Sequence, residues 1–165
     1  MEEYINLIKP YLSKHIITIS RICYVYKNET DFETGPLELK FTGNMVLHLT
    51  GKGDGERLAV NNAHWRDPFA QPLDTDTQEY VQKHGKWTLF DMSDQQPYDR
   101  FLGQPLDSLR FIRNQFGTIA GLEMNFKEQM LNFIVNCDED YVFIEDAVTK
   151  LKDLGFFVDY NFFIQ

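Results

Sequence analysis

The side chains that could do chemistry in this 165-residue chain are few and widely spaced. Glu38, His48 and His64 are the candidate catalytic residues. If Leu37 and Leu39 face Leu49 and Leu47 across a hairpin, Glu38 lies directly opposite His48 on the other face, where a carboxylate can orient an imidazole as a base. No nucleophile accompanies the pair, and an exposed cross-strand ion pair is the plainer reading. The four histidines, His15, His48, His64 and His84, lack His-x-His or i, i+4 spacing, and Cys23 and Cys137 lack Cys-x-x-Cys spacing. No metal, cofactor or disulfide framework is therefore expected.

The candidate binding residues are Trp65, Arg66, Trp87, Asp138, Glu139 and Asp140. The segment His64-Trp65-Arg66-Asp67 gathers an imidazole, an indole, a guanidinium and a carboxylate, and Trp and Arg contribute strongly to binding hot spots. The competing expectation is that Trp65 and Phe69 plug one end of the core while Arg66 pairs with Asp67. Trp87 is placed to pack beside Trp65, with core packing as its expected role. Asp138, Glu139 and Asp140 offer three carboxylates in one turn, matched by Asp54 and Glu56 in an earlier one. Adjacent residues rarely converge on one ion, and Asp74, Asp76 and Gln78 lack the sixth-position Gly and twelfth-position Glu of a calcium loop. Both acidic turns are expected to be solvated. Gly51-Lys52-Gly53-Asp54-Gly55 lacks the order of a phosphate loop and reads as a hairpin loop.

The elements that must position these residues are mostly strands. Gly35-Pro36-Leu37-Glu38-Leu39-Lys40-Phe41 is similar to Ala120-Gly121-Leu122-Glu123-Met124-Asn125-Phe126, and each alternates apolar with polar residues. After Thr42-Gly43-Asn44 the alternation resumes as Met45, Leu47 and Leu49. After Lys127 to Met130 it resumes as Leu131, Phe133 and Val135, so a four-residue loop sets Glu123 opposite Ile134. Each hairpin is preceded by a strand-like run, Ile19 to Tyr26 or Asp107 to Arg113, and followed by another, Leu58 to Val60 or Tyr141 to Ile144.

The expected fold is α+β, mostly antiparallel β, in a single domain 1–165. Half-repeats 16–61 and 105–145 form a duplicated four-stranded meander, joined by an irregular linker 62–104. Within that linker Gln78 to His84 reads as one or two helical turns and Trp87 to Phe90 as a short strand. A short N-terminal helix runs from Glu2 to Lys9 until Pro10 ends it. A C-terminal helix over Asp146 to Leu154 ends at Gly155 and is followed by a strand of alternating residues, Phe156 to Ile164.

Composition narrows the function classes. Sixteen Lys and Arg against 25 Asp and Glu give a net charge of −9, which repels nucleic acid and anionic membranes. The start of the chain lacks the basic residues of a signal peptide, no apolar run approaches a membrane span, and a cytoplasmic protein is expected. In size, acidity and lack of a catalytic signature the chain is similar to immunity-type and other small interaction proteins, a likeness of composition alone. The expected function is a non-catalytic module binding another protein through that partner's basic surface. The alternative is a small-molecule enzyme with a pocket between the half-repeats, using His64 or the Glu38 and His48 pair. A homo-oligomer formed by pairing of exposed strand edges is a third expectation.

Overall fold

The structure, a computed structural model, describes residues 1–70, 73–127, 129–144 and 148–165. Runs rich in β-branched and aromatic residues form two antiparallel sheets. In the first, β1 (Ile16–Tyr26) pairs along one edge with β2 (Glu29–Asp31) and β3 (Leu37–Phe41), and the sheet continues through β4 (Met45–Gly51) to β5 (Leu58–Asn61). A sixth strand, β6 (Lys86–Asp91), lines the other edge of β1, because Ser20 pairs with both Glu38 and Asp91. In the second sheet β7 (Ser108–Asn114), β8 (Ile119–Phe126), β9 (Gln129–Asn136) and β10 (Glu139–Ile144) run in chain order, and β11 (Phe156–Ile164) lines the free edge of β7.

The two sheets share one order. Counting β2 and β3 as one broken strand, β6-β1-β3-β4-β5 corresponds to β11-β7-β8-β9-β10. A helix precedes each returning strand: α2 (Thr75–His84) before β6, and α3 (Val148–Asp153) before β11. The segment 62–104 is thus not an irregular linker. It supplies α2, capped by the Asp74 side chain accepting from the Thr77 amide at 2.8 Å, and a strand integral to the first sheet. The described part of the C-terminal helix is Val148–Asp153, and the expected start at Asp146 lies outside the described residues. Gly155 ends it with φ +82°.

Both hairpins keep the apolar alternation, but only the first takes the register expected from it. Leu37 opposes Leu49, Glu38 opposes His48 and Leu39 opposes Leu47. In the second hairpin Phe126 opposes Gln129, so Glu123 faces Asn132 and not Ile134. A slip of two residues keeps every side chain on its own face, so the hydrophobic pattern does not choose between these registers. Turn geometry does, with Lys127 at φ +51° closing the chain at once.

The sheets pack face to face. Leu37, Leu39, Phe41 and Leu47 share one cluster with Phe111, Leu122, Met124 and Phe133, all fully buried. Each such side chain contributes roughly 1.5–3 kcal/mol. Helix α1 (Glu2–Ile8) and the 3-10 turn Lys9–Tyr11, with Pro10 in it, cover an end of this core with Ile8 and Tyr11. Cys23 and Cys137 are both free. Among the described residues no helix is long and apolar enough to cross a membrane.

The outer faces differ. Helix α3 lays Leu151 over Ile112, Ala120 and Ile134 of the second sheet. Helix α2 has no fully buried residue, and on the outer face of the first sheet His64 and Trp65 meet Glu38.

Candidate functional site

Strand alternation sends Ile22 and Tyr24 of β1, His48 and Thr50 of β4 and Trp87 of β6 to the face away from the core. These residues floor and wall a cleft of about 490 Å³. Trp87 stands against Tyr24 with ring centroids 5.5 Å apart and planes at 65°. The Tyr24 hydroxyl donates to the His84 carbonyl, which ties the start of β6 to β1. Trp65 also lines the cleft, held by its backbone N–H donating to Glu38 Oε2 at 2.7 Å.

The remaining side comes from the second sheet. The Gly35 N–H donates to the Asp140 carbonyl at 2.8 Å, and the Asp138 N–H donates to the Gly55 carbonyl at 3.1 Å. The acidic turns of the two half-repeats therefore touch, and Asp138, Glu139 and Asp140 enter the lining. Asp31 joins them at the rim, its carboxylate accepting from Thr34 Oγ1 at 2.6 Å.

The expectation that both acidic turns are solvated fails at Asp140, which is 7% exposed. Its Oδ2 accepts from Thr50 Oγ1 at 3.0 Å, while Oδ1 lies beside Gly51 without a well-formed hydrogen bond. Burial pushes the Asp140 carboxyl up to about 6, against the Thr50 hydroxyl, the Gly51 amide and the charge of Arg21, which hold it down. His48 moves the other way: burial lowers its pKa, opposed by the charge of Glu38, and its Nε2 is buried without a partner. The Thr34 hydroxyl, above all, holds Asp31 below the usual carboxylate range.

Of the residues singled out in the sequence, Trp65, Trp87, His48, Asp138, Glu139 and Asp140 converge on this cleft. Arg66 is exposed and outside the lining, and Asp67 pairs with Lys86 at 2.7 Å and not with Arg66. Trp65 and Phe69 do not plug the core: Trp65 is half-buried on the outer face, and Phe69 stacks on Tyr80 of α2 at 6.1 Å. Trp87 is 42% exposed and takes no part in the core. Glu38 is opposite His48 but spends its oxygens elsewhere, with Oε1 2.8 Å from Nδ1 of His64. That pair lies in an adjoining depression of about 420 Å³, which shares Trp65 with the cleft. Tyr24, Asp31 and Thr50 were not singled out. Nothing local marks them, because their place depends on β2, on β6 and on a turn from the other half.

The matching position in the second sheet is closed. Glu123 pairs with Arg110 at 2.9 Å, and the Arg110 guanidinium lies 5.2 Å and 5.1 Å from the ring centres of Tyr160 and Phe163 on β11. Among the described residues, the position in the second sheet that matches Glu38 is thus occupied by Arg110 and the aromatic side chains of β11. No protein-family model, curated protein or solved structure matches the chain. Among the described residues no cluster of His, Cys, Asp and Glu is arranged to hold a metal ion. Indole faces beside carboxylates suit a cation, because the ring quadrupole and the acids attract the same sign of charge.

Proposed function

We propose that the chain is a non-catalytic binding module of the cytoplasm whose cleft engages the basic surface of another protein. The observation that carries this reading is the convergence of both tryptophans and the Asp138–Asp140 turn on one 490 Å³ cleft of an acidic molecule. Aromatic anchors in a pocket with a charged rim are the usual anatomy of a protein-binding hot spot. The corresponding strand orders support a second part of the reading, that the halves are copies of one unit. One copy then kept its outer face sealed by α3 and β11, and the other opened it for binding.

Affinity capture of the tagged chain from its source lysate tests this. The expected result is a partner of high isoelectric point that elutes as salt is raised and is lost with the double variant Asp138→Lys/Glu139→Lys. Capture unaffected by both salt and charge reversal would overturn it.

One observation favours an enzyme instead: His64 is oriented by Glu38 at 2.8 Å beside a depression that also holds Ser20 and Asp91. A panel of ester, amide and phosphoester substrates tests that alternative, with turnover abolished in His64→Ala supporting it and no turnover counting against it.

A further inference from the structure

We infer that the group received by the cleft is a guanidinium, an arginine side chain of the basic partner, with Asp140 as its counter-ion and the two indoles as its walls. This deepens the binding reading and rests on it. Two buried polar atoms of the lining lack a well-formed hydrogen bond, Asp140 Oδ1 and His48 Nε2. An unpaired buried polar atom is unfavourable, so two in one cleft mark a place where a ligand supplies the missing hydrogen bonds. A carboxylate only accepts, and Nε2 of His48 takes or gives one hydrogen bond according to its tautomer.

The occupant therefore brings N–H groups to Asp140. Guanidinium has five in a planar fork, while ammonium has three on a point charge. Its flat faces also suit the aromatic walls, Trp65, Trp87 and Tyr24, for which arginine is the commoner cation. Charge points the same way. Asp31, Asp138, Glu139 and Asp140 line the cleft against Lys52, whose Nζ lies over the Tyr4 ring at 5.4 Å from its centre. An anion would meet four carboxylates. The volume accommodates a long side chain and its flanking backbone.

Both tryptophans of the chain line the cleft, so their fluorescence reports the site directly. The test titrates the full chain at low salt with three blocked tripeptides, Gly-Arg-Gly, Gly-Lys-Gly and Gly-citrulline-Gly. The arginine peptide is expected to saturate the signal and to bind about tenfold more tightly than citrulline, with lysine between them. Asp140→Asn is expected to remove that advantage while circular dichroism and melting show a folded protein, and the exposed variant Trp87→Ala to weaken binding similarly. Equal binding of citrulline, equal or tighter binding of lysine, or an unchanged Asp140→Asn would overturn the assignment. If the arginine peptide fails while the captured partner still distinguishes wild type from Asp138→Lys/Glu139→Lys, the guanidinium falls and the binding reading stands. If both fail, both fall.

Discussion

Asp140 is a buried carboxylate kept ionised at neutral pH against its surroundings. Its folded pKa of about 6 lies above the ordinary 3.8, so the native state holds the proton more tightly than the unfolded chain does. Stability from this group is therefore greatest in acid and falls as pH rises from 3.8 to about 6, by about 3 kcal/mol in all. Replacing it removes the ionisation. Asp140→Asn is expected to be more stable than wild type by about 2–3 kcal/mol at pH 8 in urea unfolding, an advantage that shrinks steadily below pH 6 and is small at pH 4. A variant less stable than wild type at pH 8 would show that the carboxylate is structural. Retaining a destabilising charge is what a binding site does when function opposes stability.

The same proton governs the cleft. Around Asp140 stand His48, Asp31, Asp138 and Glu139, with Lys52 at the rim and Arg21 acting from the core side. As pH falls through 6 Asp140 loses its charge, and any proton taken up by His48 adds a like charge to that of a bound cation. Affinity for the arginine peptide is expected to drop by up to about tenfold per pH unit below 6. A pH-independent affinity between 5 and 8 would contradict the role of Asp140.

Between strands, Gly35 holds the rim of the cleft to β1. Its φ is +123°, and a Cβ there would lie 2.0 Å from the Ile22 carbonyl oxygen and 3.2 Å from the Trp87 ring. Only glycine fits this approach. Gly35→Ala is expected to cost about 3 kcal/mol and to shift the tryptophan emission, while Gly53→Ala, which meets nothing within 4 Å, leaves both unchanged. Similar melting temperatures for the two variants would contradict this.

At the scale of elements much was legible in the sequence. Strict alternation on both sides of Thr42-Gly43-Asn44 was enough to place Glu38 opposite His48, because the three-residue loop and the apolar phase agree. The register of the second hairpin is not legible in its own pattern, since both registers keep Leu131, Phe133 and Val135 on the core face. The site was half legible. Trp65, Trp87 and the acidic turn stand out by residue type, but their convergence needs β6 on the far edge of β1 and contact between two turns distant in sequence. Burial of Asp140 is created by that contact, so no local signal announces it.

For the whole molecule, the inner faces of the two sheets share one core. Tryptophan fluorescence reports the first half alone, whereas far-ultraviolet circular dichroism reports both. The two are expected to give one coincident transition in urea. A fluorescence midpoint separated from the dichroism midpoint would mean that the halves unfold as independent units. With a net charge of −9 the whole field favours approach of a positively charged molecule, and on the proposed reading the cleft is where such a partner is held.

The most direct measurement is hydroxyl-radical footprinting of the chain alone and in complex with its captured partner, read by mass spectrometry. Trp87, at 42% exposed, and Trp65 are predicted to be protected in the complex, while Phe116 at 75% and Tyr160 at 65% keep their oxidation rates. Protection of Phe116 or Tyr160 with Trp65 and Trp87 unchanged would place the interface on the second sheet and contradict the cleft as the binding site.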